Sequence, residues 1–143
     1  MSIQQISPLD AFCKLSTEKN AALIDVRTDA ETNFVGTTDL RKTGASLILL
    51  PWKVFPSMEL NPNFTANLEA ILLDKFAENR YETQLIFMCL SGVRSQQAAT
   101  HISQLGYKNC FNLIGGFEGD ADINGHRGNV SGWKASNLPW RQV

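Results

Sequence analysis

Four short runs that read as β-strands, separated by helix-like stretches, constrain this chain more than any other feature. They are Ala21 to Val26, Ala45 to Leu50, Gln84 to Cys89 and Lys108 to Ile114. The first three are nearly continuous in apolar residues, the mark of a strand buried on both faces rather than one facing water. Between and around them lie helix signals. Ser7 followed by Pro8 reads as an N-cap with proline in the first turn, opening a helix through Leu15. Thr28 with Glu31 forms a capping box for a short helix ending near Gly36. Leu68, Ile71, Leu72, Lys75 and Phe76 make a helical stripe, and Ser95 to Leu105 a further helix closed by Gly106. Alternating strands and helices predict an α/β fold: a mainly parallel central sheet with helices on both faces.

The chain has 143 residues, 43% hydrophobic and 19% charged, which suits one globular domain over 1–143 with its core at about 7–140. A net charge of −1 provides no basic excess for a phosphate backbone, so no nucleic-acid partner is expected. No apolar stretch is long enough to span a bilayer, and the N-terminus lacks the charged start and apolar run of a signal peptide. Three cysteines, an odd number, fit reduced thiols, so the expected setting is cytoplasmic, away from any membrane.

The chemistry points to Cys89, at the carboxyl end of the third strand, where open parallel sheets bind ligands. The run after it is Leu90-Ser91-Gly92-Val93-Arg94-Ser95. Gly92 permits a tight turn that aims successive backbone N–H groups at one point. Ser95 is expected to cap the following helix, whose positive end then faces the loop. Amide dipoles, a helix N-terminus and Arg94 together favour a thiolate, and the same cradle suits an anion or a persulfide.

These residues, with their surroundings, resemble the rhodanese-like domain family. The resemblance rests on Ile24-Asp25-Val26-Arg27 with Glu31, then Phe87 to Ser95, Ala98-Ala99, Leu105-Gly106-Tyr107, Asn112-Leu113, Gly115-Gly116-Phe117 and Trp133. It implies a sulfurtransferase that carries sulfane sulfur as a persulfide on Cys89, from a donor such as thiosulfate to a thiophilic acceptor. It further implies Cys89 and Arg94 as catalytic residues, and Leu90, Ser91, Gly92, Val93 and Ser95 as the substrate-binding loop. Asp25 and Arg27 would brace that loop, Asp25 meeting Arg94 and Arg27 meeting Glu31. No metal or cofactor is implied; the partners are a small sulfane-sulfur donor and a thiol or protein acceptor. The loop from Cys89 to Arg94 is one residue shorter than in related phosphatases and arsenate reductases, which favours sulfur over a tetrahedral oxyanion. A cysteine phosphatase or arsenate reductase is one alternative, and a non-catalytic binding module on the same fold is another.

Two departures stand out. Leu90 occupies a position that is often Arg, Gln or Lys in active relatives, which predicts weak use of a small dianion. The segment Gly36 to Ala45 is longer than the family's usual Gly-His-Ile-Pro-Gly-Ala turn and reads as a loop insertion. Elsewhere, Cys13 shares a helical face with Leu9 and Phe12 and is expected in the core. Cys110 reads as a strand cysteine, His101 as a surface or boundary histidine, and Trp133 and Trp140 as apolar cover. Asp120 to Gly125 imitates the start of a calcium loop, but Ser131 stands where a bidentate Glu is needed. A polar surface loop is therefore expected there.

Overall fold

The computed structural model describes residues 3–142. The chain opens with β1 (Gln4–Ile6), α1 (Pro8–Thr17), β2 (Ala21–Asp25), α2 (Asp29–Val35), β3 (Thr37–Thr38) and β4 (Ser46–Leu49). It continues through β5 (Lys53–Val54), β6 (Glu59–Leu60), α3 (Phe64–Phe76), a 3-10 stretch (Ala77–Glu82) and β7 (Gln84–Met88). The last elements are α4 (Val93–Ser103), β8 (Asn109–Leu113), α5 (Gly132–Ala135) and β9 (Trp140–Arg141).

Five strands form the central sheet in the order β1-β8-β7-β2-β4, every neighbouring pair parallel. Alternate side chains go to opposite faces. Ala22 and Ile24 of β2, with Leu85 and Phe87 of β7, join Leu68 and Leu72 of α3 and Ala98 and Ile102 of α4 in one core. Ala21, Leu23, Ile86 and Met88 point the other way, onto Ala11 and Leu15 of α1 and Trp133 of α5. The expected architecture, with helices on both faces, is therefore the observed one.

Local signals hold at the helix starts. Ser7 caps α1 with Pro8 in its first turn, although the helix runs on to Thr17. Thr28 and Glu31 form both bonds of the capping box, and α2 stops at Gly36 (φ 106°). The helix after Cys89, however, begins at Val93 rather than at Ser95, with Gly92 in the left-handed region (φ 115°) as its N-cap.

Three further differences have tertiary causes. β1 borrows its strand conformation from pairing with β8, so three residues with only Ile6 buried become an edge strand. Cys13 is exposed, because α1 turns Ala11 and Leu15 to the sheet and leaves Leu9 and Cys13 in water. The inserted stretch after Gly36 pairs β3 with β9 in a small antiparallel ribbon, tying the C-terminal segment to the domain. No helix among the described residues is long and apolar enough to cross a membrane.

Candidate active site

Val26 and Cys89 follow the carboxyl ends of the adjacent strands β2 and β7, where the Val26 amide donates to the Met88 carbonyl at 2.8 Å. The Cys89 side chain follows the face of Leu85 and Phe87, toward α4, and the residue is 1% exposed. Its Sγ receives the Gly92 N–H at 3.1 Å, so the left-handed glycine aims an amide at the sulfur. The start of α4 adds the positive end of a helix beside it. Ser95 does not cap this helix. It sits in the first turn, fully buried, with Oγ 3.2 Å from Cys89 Sγ and 2.5 Å from Asn112 Oδ1.

A second backbone segment clasps the same loop. Phe117 N–H donates to the Cys89 carbonyl (2.8 Å), and Glu118 and Gly119 both donate to the Leu90 carbonyl (3.1 and 3.0 Å). Gly116 (φ 62°) lies so close that a Cβ there would stand 2.5 Å from the Cys89 carbonyl oxygen. The Gly115-Gly116 turn thus has a physical reason: only glycine lets these two loops meet.

The two ion pairs exchange partners relative to the sequence expectation. Asp25 does not meet Arg94; it receives Nε and Nη2 of Arg27 at 2.9 and 2.7 Å, with the Thr37 hydroxyl at 2.9 Å. Both side chains are wholly buried, and the Arg27 guanidinium lies 4.4 Å from the centre of the Phe117 ring. Arg94 instead grips Glu31 through both nitrogens, at 2.6 and 2.8 Å. The cause is direction. Arg27 leaves β2 and folds back over the same strand end, whereas Arg94, in the first turn of α4, reaches across to the first turn of α2.

Burial pushes the Glu31 carboxyl upward, but the Arg94 guanidinium, the Thr28 amide and the Thr28 hydroxyl outweigh it and hold the group at about 2. A depressed carboxylate contributes stability above its unfolded value and loses it as pH falls through the folded one. The Arg94–Glu31 pair is therefore expected to weaken from about pH 4.5 down toward 2. In urea unfolding, the wild type should lose roughly 1–2 kcal/mol across that window that Glu31→Gln does not. Equal acid sensitivity of the two proteins would contradict the assignment.

Leu90, Ser91 and Gly92 are partly exposed and Val93 is 67% exposed, so this part of the loop faces the solvent. Beside it, Phe34, Val35, Phe55 and Met58 surround a cavity of about 430 Å³ whose charged lining is the Arg94–Glu31 pair. Asn112, Thr37 and the amides of Phe117, Glu118 and Gly119 have no assigned role in the sequence reading. Two sequence signals point here: Asn112, a polar residue buried in a strand, and the Gly115-Gly116 pair that precedes the clasping amides.

The remaining candidates fall outside this site. Cys110 is buried in β8, and desolvation pushes its thiol up to about 12. His101 is exposed and bonds the Thr65 hydroxyl at 2.9 Å. Trp133 is buried cover, and Trp140 is half-exposed on β9. Asp122 organises its own turn, accepting from the Asn124 and His126 amides and from Asn129. No cluster of metal-ligating side chains occurs among the described residues.

The profile of the rhodanese-like domain family matches residues 9–122. The chain belongs to that family. It is 37% identical over 141 residues to the uncharacterized protein RP600 of Rickettsia prowazekii, covering 99% of each. The crystal structure of Rv0390 from M. tuberculosis superposes over 100% of both chains with a TM-score of 0.86 and 38% identity. Over 39 residues, 27% of this chain and 37% of its relative, it is 44% identical to the thiosulfate sulfurtransferase GlpE of Haemophilus influenzae. Rhodanese-like membership accounts for the parallel sheet and for the strand–loop–helix unit around Cys89.

Proposed function

We propose that this rhodanese-like domain is a sulfurtransferase that carries sulfane sulfur on Cys89. The observation that carries the reading is the placement of Sγ at a strand end, under the Gly92 amide and in the loop that opens α4. The partial match to a thiosulfate sulfurtransferase supports it. In the loading step the Cys89 thiolate attacks the sulfane sulfur of the donor, forming one S–S bond and breaking another. The electron pair of the broken bond leaves with the donor remnant, sulfite in the case of thiosulfate. A thiol or protein acceptor then attacks the outer sulfur of the Cys89 persulfide, and the electron pair returns to Sγ. The loop amides from Leu90 to Arg94 hold the negative charge of the outer sulfur. Arg94, matched by Glu31, acts as a positioning residue that locks the loop onto α2.

Mass spectrometry after treatment with thiosulfate is expected to find one added sulfur on Cys89, removed by cyanide or a thiol. Sulfur on Cys13 or Cys110 with Cys89 unmodified, or turnover of an aryl phosphate in place of sulfur transfer, would overturn the reading.

Donor choice follows from Leu90 and from the closed ion pair. The bidentate Glu31 already engages the Arg94 guanidinium, and Leu90 brings no charge of its own. Thiosulfate should therefore bind weakly, and Leu90→Arg should lower its KM about tenfold through charge-assisted hydrogen bonds. An unchanged KM in steady-state sulfur transfer to cyanide would show that this position does not face the donor.

A further inference from the structure

We infer that Asn112 governs the protonation of Cys89 by competing with its sulfur for the single proton of Ser95. The inference rests on Cys89 being the working nucleophile, and it arises from a proton count. Ser95 Oγ stands 3.2 Å from Cys89 Sγ and 2.5 Å from Asn112 Oδ1, yet a hydroxyl has one hydrogen to donate. The orientation of Asn112 is set by the acceptor oxygens that face its amide nitrogen. Its Nδ2 donates to the Gly92 carbonyl at 3.2 Å and to Gln5 Oε1 at 2.9 Å. Gln5 is oriented in turn, because its Nε2 donates to the Ile3 carbonyl and to Gln96 Oε1. Oδ1 of Asn112 therefore faces Ser95 as an acceptor.

With Cys89 as a thiol, every group is satisfied: S–H donates to Ser95 Oγ, and Ser95 O–H donates to Asn112 Oδ1. With Cys89 as a thiolate, one acceptor must go without. Either Ser95 turns to the sulfur and leaves the buried Asn112 Oδ1 empty, or it stays and the sulfur keeps only the Gly92 amide. A persulfide escapes the conflict, because its charge lies on the outer sulfur and Sγ is already bonded twice. The network thus disfavours the bare thiolate relative to the thiol and to the sulfur-loaded state.

Most other charged groups on the elements around the loop are already paired; Asp29 of α2 is exposed, and His101 of α4 is exposed against the Thr65 hydroxyl. Arg94 of α4 is held by Glu31 of α2, Asp25 of β2 by Arg27, and Glu118 by Lys134 (3.6 Å). β1 and β8 contribute no charged residue. Besides the Gly92 amide and the start of α4, Ser95 and Asn112 are the side chains whose hydrogen bonds can tune the sulfur locally.

The test is the pH dependence of iodoacetamide labelling at Cys89, with the exposed Cys13 replaced by serine. Asn112→Leu frees the Ser95 proton for the sulfur and should move the labelling midpoint down by about one pH unit, tenfold in thiolate population. Adding Ser95→Ala to Asn112→Leu should abolish that displacement. A midpoint that Asn112→Leu leaves in place or raises, or a displacement that survives loss of Ser95, would overturn the inference. A measurement on the protein without either substitution guards against a misfolded variant. The side-chain carbonyl ¹³C resonance of Asn112 should shift with the same midpoint as labelling, and a flat trace would also overturn it. None of these readouts needs a sulfur donor, so they stand apart from the test of sulfur loading.

Discussion

Cys89→Ser is expected to abolish sulfur loading, with transfer from thiosulfate to cyanide falling at least about a thousandfold. The serine hydroxyl is a far weaker nucleophile than a thiolate at neutral pH, and it forms no stable persulfide. The fold should persist, because the substitution changes one buried atom that already sits between two polar partners, the Gly92 amide and the Ser95 hydroxyl. Two measurements together decide the matter: thiocyanate formation for activity, and thermal unfolding for integrity. Cys110 cannot substitute, since burial keeps its thiol protonated, with the value pushed up to about 12. Residual transfer at more than a few per cent of wild type would mean that the sulfur travels by another route.

Asp25→Leu should be the most destabilising single change near the site, at about 3–5 kcal/mol. The carboxylate accepts two bonds from the Arg27 side chain, one from the Thr37 hydroxyl and one from the Arg27 amide, all out of contact with water. Removing it strands a guanidinium that is 1% exposed and retains only the Gly36 carbonyl and the Phe117 face. Replacing both members, Asp25→Leu with Arg27→Met, should recover much of the loss, because an apolar pair leaves no buried charge. Equilibrium urea unfolding of the three variants measures this directly. A loss below about 1 kcal/mol for Asp25→Leu would place the pair in water, contrary to the structure.

The loop chemistry explains why the two pairs were legible as charged partners but not as the right partners. Asp25, Arg27, Glu31 and Arg94 all stand out in the sequence as charges at strand or helix ends. Which carboxylate meets which guanidinium depends on the direction in which each side chain leaves its backbone. Arg27 lies two residues beyond Asp25 and folds back on it; Arg94 leaves α4 toward a helix that is distant in the chain and adjacent only in space. The Ser95 cap fails for a similar reason. Gly92, free to adopt φ 115°, starts the helix earlier and turns Ser95 inward to the sulfur.

What the sequence by itself determined is the set of local decisions: buried strands in Ala21–Asp25 and Gln84–Met88, the Ser7 and Thr28 caps, the stop at Gly36, and a cysteine at a strand end. Each depends on neighbours within a few residues, where steric preference and hydrogen-bond chemistry act directly. Only the tertiary structure decided that Gln4–Ile6 is a strand, that Cys13 faces water, and that the Gly116 turn clasps the carbonyls of Cys89 and Leu90. It also brought Asn112 of β8 to the hydroxyl of Ser95. These contacts join residues far apart in the chain. Their energies depend on packing and register between elements, which no local pattern encodes.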